Sequence, residues 1–192
     1  MVYIMSMNLG NIWKKNTISI RPQTRINNIP KRFPVKSSNE NQVSSRAYWG
    51  TPTWFLFHTI AARINERWYS NNYTVVWNFI CKCCGILPCP FCRNHAVSFT
   101  RGVNINSIKT KKGLQNILYQ FHNVANTNSG KGVQDINVLD KYNRANIKQI
   151  FDLFEDRFFR SYIGGRHFDD WHKNEFKTVF INFSNIVSGK FI

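Results

Sequence analysis

Negative charge is what this 192-residue sequence has least of. It carries ten Asp and Glu against 26 Lys and Arg, a formal net charge of +16 at pH 7. Long apolar runs are missing too: none approaches the roughly 18–20 residues that cross a bilayer as a helix, so no membrane span is expected. The start, Met1 to Leu9, has no basic segment followed by an apolar stretch and a small-residue cleavage site, which argues against a secretory signal. Cysteine is absent everywhere except between Cys81 and Cys92, where all five are found. Thiols spread along a secreted chain would read as a disulfide framework; thiols crowded into twelve positions read as a site. Disorder is excluded for the chain as a whole by 16 Phe, 6 Trp and an aromatic share of 15%. The length suits one domain with tails, large enough to bury a core without staples.

Residues 1–45 read as a basic, flexible tail. Lys14, Lys15, Arg21, Arg25, Lys31, Arg32 and Lys36 face a lone acid, Glu40, and Pro22, Pro30 and Pro34 break any helix. Basic, acid-poor termini also serve as mitochondrial targeting segments, but no clear amphipathic helix accompanies this one. From Tyr48 onward the apolar period is helical. Thr51-Pro52 resembles a helix start, and Trp54, Phe57, His58, Ala61 and Ala62 fall on one face. A second helix is predicted from Asn71-Asn72 until Pro88, and a third from Pro90 to Gly102. A fourth carries Leu114 to Ala125 and stops at Asn128-Ser129-Gly130; a short fifth covers Ile136 to Tyr142. Two amphipathic stripes follow, Ile147 to Phe158 and Phe176 to Val187, separated by Gly164-Gly165. Period-two alternation is rare, so the expected class is all-α: a four-helix bundle, a short fifth helix and C-terminal amphipathic helices.

Cys89-Pro90-Phe91-Cys92 is the chemical centre. A CxxC pair at a helix N-terminus closes a small reducible ring, and the free N–H groups and positive helix end favour thiolate. A stabilised thiolate is a good leaving group in thiol–disulfide exchange. Three other readings compete at this point. Cys84, Cys89, Cys92 and His95 are a possible zinc set, although their spacing matches no common zinc motif. A thioredoxin-like site would need a strand before the motif. The third reading is two buried free cysteines. Trp54 and His58, four apart, place an aromatic ring and an imidazole side by side, as a flat conjugated ligand would require. His122 and Asn126 repeat that spacing, and Lys131 lies just past the same helix, within reach of a phosphate.

The ordered set Trp49-Gly50-x-x-x-Trp54-x-x-x-His58-Thr59, Pro88-Cys89-x-x-Cys92, His122-Asn123-x-x-Asn126 and Gly130-Lys131 resembles the FAD-linked sulfhydryl oxidases of the Erv/ALR type, most closely their compact viral members. The resemblance covers residues 46–145 and leaves 146–192 as a helical extension. It implies a bundle that holds FAD, with Gly50, Trp54, His58, His122, Asn123, Asn126 and Lys131 around the cofactor. It implies that Cys89 meets the substrate and Cys92 the flavin, as the catalytic pair. The implied reaction oxidises a protein dithiol, or a thioredoxin-like electron donor, and passes electrons through FAD to molecular oxygen with release of hydrogen peroxide. A homodimer, and a location in the infected cell's cytoplasm or the virion, or alternatively the mitochondrial intermembrane space, follow from the same likeness.

The sequence departs from the family pattern at Arg63, where a Tyr is usual, and at Ala125, where Val is usual. Tyr142 or Leu139 stands where a Trp often meets the cofactor, and neither tail carries a second CxxC. A separate dithiol protein is therefore expected to feed Cys89 directly. No ligand role for a metal is expected. A basic nucleic-acid-binding protein and a structural zinc module remain the alternative classes. The first is favoured only by the charge, with no nucleic-acid-binding motif present.

Overall fold

The computed structural model describes residues 46–161 and 170–192. The basic tail and the Gly164-Gly165 separator lie outside the described residues. Six α-helices follow one another among them: α1 Arg46–Arg63, α2 Glu66–Gly85, α3 Pro90–Arg101, α4 Lys111–Asn128, α5 Ile147–Arg160 and α6 Asp170–Val187. Two 3-10 segments, Ile105–Ile108 and Ile136–Arg144, flank α4. No strand occurs among the described residues, only an isolated antiparallel bridge between Ile64 and Phe191. The class is all-α, as the periodicity predicts.

Two helix starts differ from the sequence reading. The first helix begins at Arg46, so Pro52 lies inside it. Proline lacks the N–H and crowds the carbonyl one turn back. Burial of Trp49, Pro52 and Thr53 outweighs that local break, and the Thr53 hydroxyl donates to Trp49 O at 2.7 Å. The second helix begins at Glu66, capped by Asn65, whose side chain accepts from Trp68 N at 3.0 Å. What resembled a start at Asn71-Asn72 is a kink, with Asn72 at φ −131°, ψ 19°. There the side-chain amides of Asn71 and Asn72 donate to Arg67 O and Trp68 O, competing with the backbone ladder.

α4 starts at the Thr110 cap, and the turn before it is tight enough to require glycine. A Cβ at Gly113 would lie 2.0 Å from Ser107 O. α4 ends on Gly130 at φ +71°, the left-handed stop that the Asn-Ser-Gly signal predicts. The fifth segment is a 3-10 helix that runs on to Arg144.

Leu56, Ile60, Val76, Ile80, Leu114 and Leu118 are fully buried where α1, α2 and α4 meet. α3 packs chiefly on α2, α5 lies along α1, and α6 lies on α2. The phenylalanine stripes of α5 and α6 are consumed in these contacts. Phe154 and Phe158 are buried, and Phe183 stacks on Phe79 of α2 with centroids 3.9 Å apart and planes 2° from parallel. Each fully buried Phe contributes about 1.5–3 kcal/mol of apolar burial. Arg63 ties the far ends together. Its guanidinium donates to Ala145 O at 2.8 Å and to Ile192 O, while Ile192 N donates back to Arg63 O at 2.9 Å.

Candidate functional site

The site is built at the N-terminus of α3. Cys89 caps that helix in extended conformation (φ −96°, ψ 114°), and Pro90 occupies the first turn, where its missing N–H costs nothing. This places Cys89 and Cys92 one turn apart, Cα–Cα 5.2 Å, joined as a disulfide. Cys92 N donates to Cys89 Sγ at 3.2 Å, so a helix-end N–H already points at the sulfur that would carry negative charge after reduction. Both cysteines are half-buried.

A cleft of about 640 Å³ opens beside the disulfide, between α1, α3, α4 and the Ile136–Arg144 segment. Trp54, Cys92, His95, His122, Asn126 and Tyr142 line it; Cys89 does not. The pair therefore has an inner and an outer sulfur. Gly50 also borders the cleft, and a Cβ there would meet nothing within 4 Å.

One wall is a run of stacked rings. Trp54 and His122 lie 4.1 Å apart at 7°, His122 and His58 5.2 Å at 26°, and His58 and Tyr142 4.8 Å at 23°. His58 Nε2 and His122 Nδ1 are 3.0 Å apart, a hydrogen bond in which one ring donates and the other accepts. Burial is the main reason that His58 is pushed down to about 3, with His122 and Lys141 adding to it. Burial likewise leads for His122, lowered to about 4 with help from Lys141 and Lys131. Both rings are neutral at pH 7, so they present hydrogen-bonding edges rather than charge.

The positive charge of the cleft comes instead from Arg46, Lys131 and Lys141, and among the described residues no carboxylate lines it. Lys131 is brought there by the turn after α4, where its backbone N donates to Asn126 O at 2.8 Å. An aromatic wall plus three cations suits a flat, conjugated, anionic ligand, and the volume falls within the ordinary range for such sites, about 300–1,000 Å³.

Gly50, Trp54, His122, Asn126, Lys131 and Cys92 thus meet at one cleft. His58 and Asn123 stand behind it, on a smaller cavity of about 240 Å³. The Asn123 amide is engaged with the loop. It donates to Gln134 O at 3.2 Å and accepts from Gln134 N at 2.9 Å, pinning the segment that carries Lys131. Sequence reasoning gave no role to Arg46, Lys141 or Asn128. Asn128 Nδ2 donates to His95 Nδ1 at 2.7 Å and fixes a ring that packs against Phe91, centroids 4.2 Å apart and planes tilted by 39°. Arg46 and Lys141 carry no local motif, because their shared role arises only when α1 and the 3-10 segment converge.

Cys81, Cys83 and Cys84 are free thiols. Burial pushes all three thiols up, so none is a ready nucleophile at neutral pH. Cys84 also borders the main cleft. Among the described residues no three His, Cys, Asp or Glu side chains gather as a metal set, and Cys89 and Cys92 are committed to each other.

An all-helical bundle with a CxxC disulfide at the edge of a ring-walled cleft defines a recognisable class. Residues 51–145, just under half of the chain, match the model of the Erv1 / Alr family, and over that segment the chain is similar to an Erv1/Alr-type domain. Among individual proteins, the chain is similar to one of Invertebrate iridescent virus 3 named as an FAD-linked sulfhydryl oxidase, 096R. The identity is 27% over 84 residues, 43% of this chain and 57% of that protein. The match thus spans little more than half of the relative's length. No solved structure matches.

Proposed function

We propose that the protein is an FAD-dependent thiol oxidase that forms disulfides in protein dithiols, acting in the cytoplasm of an infected cell or in the virion. The observation that carries this reading is the division of labour within one disulfide: Cys92 faces the ring-walled cleft and Cys89 does not. The residues present fit FAD. The stacked wall of Trp54 and His122 offers area to a conjugated ring, neutral His58 and His122 offer hydrogen bonds, and Arg46, Lys131 and Lys141 offset a pyrophosphate.

The chain's own chemistry is thiol exchange. A substrate thiolate attacks Cys89 Sγ, the Cys89–Cys92 bond breaks, and its electron pair leaves on Cys92 as a thiolate. The substrate's second thiol loses its proton to water and attacks the substrate sulfur of the mixed disulfide. Cys89 leaves as the second thiolate, and the substrate departs with a new disulfide, oxidised by two electrons. The α3 N-terminus, with its N–H groups and positive end, stabilises both leaving thiolates. When bound, FAD supplies the acceptor that takes these two electrons from the reduced pair and delivers them to molecular oxygen, released as hydrogen peroxide. Cys84 borders the same cleft as the inner sulfur.

Purified protein is expected to be yellow and to consume oxygen when given dithiothreitol. A folded, disulfide-bonded protein that takes up no FAD would overturn the proposal. The same reading carries a homodimer, which sedimentation of the loaded protein checks.

A further inference from the structure

Two of the cations that line the main cleft, Lys131 and Lys141, and one of its rings, Tyr142, come from a single stretch, residues 131–144. It leaves the end of α4 and packs on α1. Its second half is anchored by packing. Tyr142 is buried and stacks on His58, and Lys141 Nζ sits 5.0 Å from the Tyr142 ring and 5.7 Å from that of Phe55. Just beyond, Arg63 Nη1 donates to Ala145 O. The first half has no such support: every residue from 131 to 137 is exposed. Apolar burial therefore does not set where this half lies, and hydrogen bonds must.

Those bonds converge on one residue. Gln134 O accepts from Tyr119 Oη at 2.7 Å and from Asn123 Nδ2 at 3.2 Å, while Gln134 N donates to Asn123 Oδ1 at 2.9 Å. Tyr119 and Asn123 are four apart on α4 and share one face. Neither borders the main cleft; both border the smaller cavity behind it. His122 and Asn126, also four apart, line the cleft from the neighbouring face of the same helix. We infer that Tyr119 and Asn123 are positioning residues for the cofactor. They latch the Gln134 backbone to α4, and through it keep Lys131 and Lys141 on the cleft before an anionic ligand arrives. Cations held in place beforehand lose less freedom on binding, so the latch raises affinity without touching the ligand. This inference rests on the oxidase reading and deepens its cofactor site.

The test is FAD binding to full-length, FAD-free protein, followed by flavin fluorescence and by the rate of FAD release. Tyr119→Phe removes one hydroxyl outside the cleft. It is expected to raise the FAD Kd about 2–10-fold, mainly through faster release, while the melting temperature without FAD hardly changes. Asn123→Ala removes two bonds and should weaken binding further, by about 10–100-fold. Dithiothreitol turnover by Tyr119→Phe at saturating FAD should match wild type. In a Lys131→Ala/Lys141→Ala background, Tyr119→Phe should lose most of its effect on Kd, because the cations it positions are gone. An unchanged Kd for Tyr119→Phe, or the same loss with and without the two lysines, overturns the latch and leaves the oxidase reading intact. Wild-type protein that takes up no FAD overturns the oxidase reading and the latch with it.

Discussion

The region from α2 to α4 and the α5–α6 region answer the same demand, burying apolar surface in a basic chain, in opposite ways. In α5 and α6 five cations are balanced by five acids, and the apolar stripes are spent on α1 and α2. From α2 to α4 a single acid, Glu66, stands against seven Lys and Arg, and the His122 ring is half-buried at the edge of a cleft. The first arrangement lowers the energy of the fold alone. The second leaves an excess of positive charge beside an open cleft, which is what a binding site costs a structure. The cleft thus borders the region with the charge excess, while the densest phenylalanine packing lies in the charge-balanced one.

That contrast can be broken at several points. The largest effect is expected at the inner sulfur. Cys92→Ser should lower thiol-dependent oxygen uptake by more than about a thousandfold while FAD absorbance and melting temperature hardly change, because the lost group has no scaffold role. In the balanced region the pattern inverts. Phe154→Ala should cost about 3–5 kcal/mol in denaturant unfolding, since Phe154 is fully buried. In the protein that remains folded, turnover per bound FAD should be unaltered.

Gly113→Ala comes next, at about 1–3 kcal/mol, because the added Cβ would collide with Ser107 O. A pH titration of FAD-free protein sharpens the comparison. His58 is held well below its unfolded value of 6.5, down to about 3. Its neutral burial is compatible with full stability above pH 6.5. Below that pH the unfolded chain binds the proton first, so stability falls as pH drops toward 3. At pH 5 the loss is about 2 kcal/mol, and His58→Gln should flatten that slope. The smallest effect belongs to the exposed pair Lys148–Asp152, 2.9 Å apart. Asp152→Asn should shift stability by less than about 0.5 kcal/mol.

Much of the molecule was legible from sequence because the signals were local. The apolar periods of α1, α4, α5 and α6, the Pro90 start of α3 and the Gly130 stop depend on neighbours within a turn or two. The CxxC pair and its motif partners Trp54, His122, Asn126 and Lys131 were equally visible. What escaped depended on distant packing. Pro52 resembled a first-turn residue until the burial of Trp49 and Thr53 carried the helix back to Arg46. Asn71-Asn72 resembled a cap because the same side-chain amides that cap helices also kink them. Asn123 shares a motif with His122, yet its amide holds Gln134. Arg46 and Lys141 are 95 positions apart, and no spacing rule joins them.

The most direct test of the central claim, that Cys92 couples an outer exchange reaction to a cofactor in the cleft, is anaerobic single-turnover reduction of FAD-loaded protein by dithiothreitol. Wild-type protein is predicted to lose its yellow colour, and Cys92→Ser to keep both its FAD and its colour under the same reductant. Bleaching of Cys92→Ser at the wild-type rate would contradict the account.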